Sequence, residues 1–479
     1  MPLRIFNTMT KKRELFKPLD GRKVKMFVCG VTEYDFVHLG HARTYAFYDT
    51  LVRFLRHQEF DVTYLQNVTD VGHMTDDTGE DKVERKALKE KKTPQQIVDF
   101  YLRHHLEAFD RLHLLRPDIL EKATDHIPEI VAQVRALVDN GHAYLADGSI
   151  YFDVSKFKNY GKLSRRHVEE LKAGARVKVK DEKEDPRDFA LWIKSPKSHI
   201  QKWDSPWGVG YPGWHIEDTA IALRYFGPQY DVHGGAIELA FPHHEAEIAQ
   251  AEATTGKRPF VKYWVHTGVL TIKREKMAKS KGNFIRLVDA LEKHEPEVLR
   301  MWIASTHYRK PLDYNERDIG NARKKVEKLA STIERIKAAA ERPNGGSHIL
   351  TNRLFKIRDR FMAAMNDDVN TPLALSHLLD IASLTNRHMD GGDYSTIEIE
   401  SARKLIEELG AFFQVLPKRA KVEKIPDRAR KLIALREKAR AAKDFARSDE
   451  LRKILQDEFG LVLEDTAGGA KWKRAKEQI

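Results

Sequence analysis

A single cysteine, Cys29, stands in a chain of 479 residues, so no intramolecular disulfide can form and stability must come from packing. There is also no run of about 18 apolar residues, which excludes a helical membrane span. The first residues, Met1-Pro2-Leu3-Arg4-Ile5-Phe6-Asn7, carry no long apolar segment, so the expectation is a cytoplasmic protein without a secretory signal. Acidic side chains are outnumbered, 71 against 83 Lys and Arg, and the net charge of +12 points to a polyanionic partner. With 41% apolar and 32% charged residues the composition is that of a globular chain, long enough for roughly two to four domains with buried cores.

Two short strings carry the first chemical signal. His38-Leu39-Gly40-His41 follows the apolar run Met26-Phe27-Val28-Cys29-Gly30 and precedes a stretch of helical period, Ala42 to Tyr48. Both imidazoles therefore sit at a strand-to-helix junction, where unpaired amides and the helix dipole favour anions. Gly40 leaves room for a flat ring or a backbone to approach. Far downstream, Lys276-Met277-Ala278-Lys279-Ser280 presents two ammonium groups three residues apart in a polar stretch, suited to a polyphosphate. Either string alone reads equally as a helix cap or a solvated loop.

Along the chain, Val24 to Cys29 and Val62 to Val68 read as strands around a helix from about Ala42 to Arg56, a βαβ unit of the doubly wound kind. A helical layer is expected from Thr93 to Asn140, interrupted at Pro117 and Pro128. The fold expected is an α/β, Rossmann-like parallel-sheet catalytic domain (first half 1–144, second half 206–312) with an insertion at 145–205. The insertion includes a strand near Ser149 to Asp153 and a dense charge run, Val177 to Arg187, read as a solvated hairpin or loop. The second half resumes at Gly213, with a helix to about Tyr225 and a strand at Tyr230 to His233. An α-helical bundle follows at 313–417, its helices placed at Ile319 to Arg342, Ile349 to Asn366, Thr371 to Asp390 and Ile397 to Gln414. A small cationic C-terminal domain, 418–479, is expected to hold one long basic helix from about Pro426 to Phe459 and strand-like segments at Leu461 to Asp465 and Ala470 to Arg474. Its Trp472 suits either stacking on a single-stranded nucleic-acid loop or a place in the core of a capping subdomain.

The segment Pro242-His243-His244-Glu245-Ala246-Glu247 opens on a proline, favoured in a first helical turn, so His243 and Glu247 at i and i+4 share a face. An imidazole and a carboxylate at that spacing can grip one metal ion, or form a hydrogen-bonded surface pair. Cys29 is ordinarily read as a small core residue. Here it ends the strand feeding the HLGH turn, at the carboxyl edge of a parallel sheet, where open α/β folds bind ligands.

The two phosphate-type strings, in this order, resemble the signature of class I aminoacyl-tRNA synthetases. With Cys29 leading into HLGH, Asn67-Val68-Thr69-Asp70, Gly213-Trp214-His215-Ile216-Glu217, Asp231-Val232-His233-Gly234-Gly235, the His243 to Gln250 segment and Lys443-Asp444-Phe445-Ala446-Arg447-Ser448-Asp449, the chain resembles the cysteinyl-tRNA synthetase family along essentially its whole length. The resemblance implies a cysteine–tRNA ligase that forms cysteinyl-adenylate from L-cysteine and ATP with magnesium, then transfers the cysteine to the terminal adenosine of tRNA(Cys), at its 2′-OH. It implies His38, Gly40, His41, Lys276 and Lys279 at the phosphates, and Gly30, Thr69 and Trp214 around the amino acid. It further implies one zinc ion, selecting the substrate thiol, held by Cys29, Asp218, His243 and Glu247, and anticodon contacts from Arg440, Asp449 and Asp465. A monomer without membrane association is expected.

Asp218 departs from the family pattern, which has a second cysteine after Trp-His-Ile-Glu. One thiolate, two carboxylates and a neutral imidazole carry the same total charge as two thiolates, one carboxylate and one imidazole, so the balance around a dication is kept while its softness falls. Two other readings stand beside the ligase: cysteine transfer to a small amino sugar, and an inactive RNA-binding relative.

Overall fold

The strand Lys23–Val28 (β1) sends Val24, Met26 and Val28 into one apolar cluster and Phe27, followed by Cys29, into another. Alternate residues buried on opposite faces mark the middle of a sheet covered on both sides. Asp61–Val68 (β2), Ile119–Lys122 (β3), Tyr230–Ala236 (β4) and Val261–Thr267 (β5) join it in the order β5-β4-β1-β2-β3, all parallel. The chain winds outward from β1 through β2 to β3, then returns on the other side of β1 with β4. The crevice between β1 and β4 is thus the topological switch point, where such sheets bind their ligands. This computed structural model describes all residues except 1, 72–80, 166–181, 278–282, 341–348, 393, 418–426, 443, 460, 467–468 and 475–479.

Leu39–His57 (α1) covers one face, with Tyr45, Tyr48, Leu51 and Leu55 in the first cluster. Ile216–Phe226 (α2) and His243–Thr255 (α3) cover the other through Ile216, Ile221, Ile248 and Ala249. Close approaches occur at two glycines, one between helix and sheet and one between neighbouring strands. A Cβ at Gly234 would lie 2.0 Å from the Tyr48 hydroxyl, which donates to Val265 O at 2.6 Å. A Cβ at Gly30 would lie 1.7 Å from Asn67 O. Only a residue without a side chain fits either place.

The expected helical layer at Thr93 to Asn140 needs correction. Helices span Pro94–Arg111 and Ile127–Asp139, but between them Ile119–Lys122 pairs with β2 as the edge strand of the sheet. The inserted segment forms a four-stranded antiparallel sheet from Ala143–Ala146, Ser149–Phe152, Phe189–Lys194 and Gly210–Pro212, with Ile150, Phe152, Leu191 and Trp192 buried. Residues 177–181 of the charge run at Val177 to Arg187 lie outside the described residues, and the rest of it is turn and irregular chain. Past β5, short strands Leu270–Ile272, Glu275–Lys276 and Leu312–Tyr314 make a small sheet at the stem of the Lys276 to Ser280 loop.

The helices Pro296–Ala304 (α4), Glu316–Ala340 (α5), Ile349–Asn366 (α6), Thr371–Gly391 (α7) and Thr396–Ala411 (α8) follow. In α5 the buried residues Ile319, Ala322, Val326, Leu329, Ile333 and Ile336 recur every three or four positions, an apolar stripe that packs on α7 and α8. Arg300 of α4 donates to Asp49 of α1 and to Phe413 O at 2.7 Å, a fully buried tie between α1 and the bundle.

By its internal contacts the chain divides into Met1–Leu416 and Pro417–Ile479. In the second unit the single long helix gives way to a pair, Asp427–Ala441 (α9) and Phe445–Phe459 (α10). The break has a local cause: the Asp444 side chain accepts the Arg447 amide at 3.1 Å, an N-cap that starts α10 afresh. The strands Leu461–Thr466 and Gly469–Arg474 pair antiparallel beyond it, and Ala429, Leu455 and Leu461 are buried together.

Candidate active site

Four elements deliver buried donors to the switch point. Cys29 follows β1, its amide on Gly234 O at 3.0 Å and its carbonyl accepting from the Tyr45 hydroxyl at 2.6 Å. Asp218 lies in the first turn of α2, His233 on β4, and His243, His244 and Glu247 on α3. Because α3 is enclosed on all sides from His243 to Ala253, adjacent residues as well as those on one face are buried.

His243 Nε2 is 3.0 Å from Glu247 Oε1 and 3.2 Å from Asp218 Oδ2, and Cys29 Sγ is 4.0 Å from Glu247 Oε1. Ligand atoms of Cys29, Asp218, His243 and Glu247 all lie within 4.8 Å of one another. The sequence-expected set is therefore brought together from remote parts of the chain. A second set shares two of its members: Cys29 Sγ is 3.2 Å from His233 Nε2 and 3.1 Å from His244 Nε2, and His233 Nε2 is 3.3 Å from Glu247 Oε2. This buried cluster can hold a metal ion, with a thiol, imidazoles and carboxylates as the donors that suit zinc.

Outer partners orient these groups. His233 Nδ1 bonds the Tyr230 hydroxyl, His244 Nδ1 lies 2.8 Å from His266 Nε2, and His266 Nδ1 2.8 Å from Thr8 Oγ1. Asn67 accepts the Gly30 amide at 2.6 Å and donates to Asp218 Oδ1 at 2.7 Å and Thr69 Oγ1 at 3.2 Å. Burial, with the Asp218 and Glu247 carboxylates adding to it, pushes the Cys29 thiol well up. Burial likewise raises Glu247 to about 7. Burial works to lower His243, but the Glu247 and Asp218 carboxylates outweigh it and hold this imidazole up at about 10. His233 and His244 are driven down by burial and by neighbouring imidazoles.

Trp214 is 37% exposed and stacks on the His243 ring at 4.6 Å between centroids, a wall beside the cluster, with Gly30 and Thr69 joined through Asn67. Asn67, His233 and His244 were missed as site residues. Their only signal was that each lay in a string that carries the family resemblance.

At the HLGH turn, His38 N-caps α1. Its Nδ1 accepts the His41 amide at 3.3 Å, His41 Nδ1 accepts the His38 amide at 3.4 Å, and the two rings stack at 3.6 Å. A Cβ at Gly40 would meet the His38 ring at 2.9 Å. Leu39 N–H donates to Ile285 O at 3.1 Å, Leu287 N–H to Val37 O at 2.9 Å, and Phe284 packs edge-on to His38. Both ends of the downstream lysine segment thus reach the HLGH turn, since Met277 lies beside Gly40. The Lys276 backbone pairs with Thr271, and Lys279 lies outside the described residues. Two residues into α1 from His41, Arg43 is buried and gives its guanidinium to the carbonyls of Val269, Tyr308 and Lys310. In the second unit Arg440 of α9 and Asp449 of α10 are exposed, and the Asp465 backbone lies in the strand Leu461–Thr466.

A model of the class I (C) tRNA synthetase catalytic domain matches residues 15–324, and one of the DALR domain matches residues 360–416. The chain is 42% identical over 491 residues to a cysteine–tRNA ligase of Chlorobaculum tepidum, covering 99% of each chain. It is 41% identical over 482 residues to a cysteine–tRNA ligase of Thermus thermophilus, again covering 99% of each. Among solved structures, Mycobacterium tuberculosis methionyl-tRNA synthetase in complex with methionyl-adenylate matches 82% of this chain and 90% of that one, with a TM-score of 0.60 at 15% identity, a likeness of fold.

Proposed function

This chain belongs to the cysteine–tRNA ligase family of class I synthetases, and from that premise we propose how its residues divide the reaction. The enzyme is an ATP-dependent aminoacyl-tRNA ligase. The observation that carries the site assignment is the meeting of Cys29, Asp218, His243 and Glu247 within 4.8 Å at the switch point.

Zinc would be held by Cys29, Asp218, His243 and Glu247, and the donor set fits it: one sulfur, one nitrogen and two oxygens, all buried. When bound, a dication there lowers the pKa of a thiol and favours its thiolate over a serine hydroxyl. That discrimination is needed because an apolar pocket separates near-isosteres by only about 1 to 3 kcal/mol. Asn67 fixes Asp218 from behind, and Trp214, Gly30 and Thr69 line the amino acid.

In the first step a carboxylate oxygen of cysteine bonds to the α-phosphorus of ATP as the bond to the bridging oxygen breaks, giving adenylate and pyrophosphate. His38 and His41 each use Nδ1 to accept a backbone amide, so a neutral ring carries its proton on Nε2. Two such N–H donors, the α1 amides and the ammonium groups of Lys276 and Lys279 stabilise the phosphates as their charge shifts. In the second step the 2′-OH of the terminal adenosine of tRNA(Cys) attacks the acyl carbon, its proton is lost and AMP leaves. No side chain acts as nucleophile, so the rate rests on positioning and charge. The net charge of +12 draws the tRNA, with Arg440, Asp449 and Asp465 at the anticodon.

Lys279→Ala tests the phosphate assignment: cysteine-dependent ATP–pyrophosphate exchange falls at least about tenfold, the loss of one strong electrostatic contact. An unchanged rate overturns it. Charging of a tRNA(Cys) transcript, with none of an amino sugar, separates the ligase from the small-acceptor reading.

A further inference from the structure

A second cluster of metal-type donors lies away from the switch point, where the inserted sheet meets the helix Lys82–Glu90. Asp81 N-caps that helix, one oxygen accepting the Glu84 amide at 2.9 Å while Oδ2 lies 3.2 Å from His199 Nε2. Glu84 Oε2 lies 3.3 Å from the same nitrogen. Ligand atoms of all three residues fall within 4.8 Å of one another, and Asp81 and His199 are buried.

His199 Nδ1 is 2.8 Å from Gln201 O and must donate to it, so in the neutral ring the Nε2 lone pair faces the two carboxylates. Lone pairs held together this way repel unless a proton or a metal ion stands between them; burial works to lower the His199 pKa, but Asp81 and Glu84 outweigh it and raise it. The distances favour a metal ion over a direct bond. Charge-assisted N–H···O contacts are about 2.7 to 2.9 Å, shorter than these. Bonds of about 2.0 to 2.2 Å to a tetrahedral ion put its ligands about 3.3 to 3.6 Å apart, close to what is seen. A backbone carbonyl on the far ring nitrogen is the usual support of a metal-bound histidine.

An independent observation comes from Tyr211. Its ring lies face to face on His199, 4.4 Å between centroids, and its hydroxyl is wholly buried with no hydrogen-bond partner among the described residues. Burial first, then the charges of Asp81 and Glu84, raise its pKa. A buried hydroxyl left unmatched costs about 1 to 3 kcal/mol. An ion carrying a water at its open position supplies the missing partner.

We propose that Asp81, Glu84 and His199 form a second divalent-metal site, of nitrogen and oxygen donors suited to zinc, with Tyr211 bonded to a metal-bound water. The site clips the segment leading into the strand Gly210–Pro212 to the start of the helix Lys82–Glu90. It also braces the rim of the active site, because Gln201 Nε2 donates to Asp70 O at 2.9 Å, one residue past Thr69.

The test is metal content and cobalt spectroscopy on the full chain. Purified protein binds a second equivalent of zinc beyond that at Cys29. Asp81→Asn, which keeps the helix cap, and His199→Phe, which keeps the stack on Tyr211, each lose one equivalent. Both retain the sulfur-to-cobalt charge-transfer band of the Cys29 site after cobalt substitution. Cys29→Ser loses that band and keeps a cobalt spectrum of nitrogen and oxygen ligands only. Equal zinc content in wild type, Asp81→Asn and His199→Phe overturns the proposal, as does a wild-type spectrum in which all bound cobalt is abolished by Cys29→Ser. Failure at Cys29 alone, with no sulfur band in the wild type, counts against the active-site zinc and leaves the Asp81 and His199 comparison decisive here.

Discussion

Replacing Asn67 by alanine separates a role in metal support from a role in packing. Its carboxamide meets three buried or half-buried partners: the Gly30 amide at 2.6 Å, Asp218 Oδ1 at 2.7 Å and Thr69 Oγ1 at 3.2 Å. Thr69 can turn its hydroxyl, but the Gly30 amide loses its acceptor and the Asp218 carboxylate its donor. Each buried group left unsatisfied costs about 1 to 3 kcal/mol, an ionised one at the upper end. A water admitted to the space brings the sum toward the low end of about 2 to 6 kcal/mol. Loss of such outer support also weakens a metal site about 10- to 100-fold, equivalent to about 1.4 to 2.7 kcal/mol. Competition against a chromophoric chelator measures the zinc affinity and urea unfolding the stability, while kinetics compare KM for cysteine with KM for ATP. The expected pattern is weaker zinc binding and a raised KM for cysteine, with KM for ATP unchanged because the proposed nucleotide site lies at the His38 end. Zinc affinity within about twofold of wild type, short of what an outer ligand partner supplies, refutes the reasoning.

His266 is held down at about 3 by burial, with Lys11 adding to it. The unfolded chain takes up a proton near pH 6.5 that the folded site refuses until about 3, so stability is complete above about 6.5 and falls with acid across that window. One such histidine contributes up to about 1.4 kcal/mol per pH unit, and His266→Gln should flatten the urea-unfolding profile by that slope; parallel profiles would contradict it. At the buried tie between α1 and the bundle, Arg300→Met strands Asp49, which keeps only Arg53 at 3.0 Å and the Leu115 amide at 2.8 Å. The expected cost is about 3 to 5 kcal/mol, and adding Asp49→Leu should recover most of it. A double variant as unstable as the two single variants summed would show that the charges do not act as a pair.

Strand β1, helix α1 and the His243 with Glu247 face were legible because each rests on a local pattern: alternating burial, an apolar helical period, an i to i+4 pair. Edge strand β3 was not, since Ile119-Leu120-Glu121-Lys122 is four half-buried residues without alternation, lying between two strong helices. The division of the tail helix was legible in principle from Asp444 as a cap, but no glycine or proline marks it. His233 and His244 escaped because what makes them site residues is the β1 to β4 crossover, a long-range pairing that no spacing encodes. The Asp81, Glu84 and His199 cluster escaped for the same reason, joining residues more than a hundred positions apart.

Arg43 has a consequence for how ATP is first attracted. Burial lowers its pKa only to about 10, so it stays cationic at neutral pH, and its guanidinium is solvated by three carbonyl dipoles where a counter-ion would cancel it. The HLGH turn, where we propose that the nucleotide binds, therefore stands over a fixed positive potential that belongs to the scaffold itself. Buried charge is poorly shielded by electrolyte, so part of the pull on a triphosphate should persist in strong salt, after the surface lysines have lost theirs.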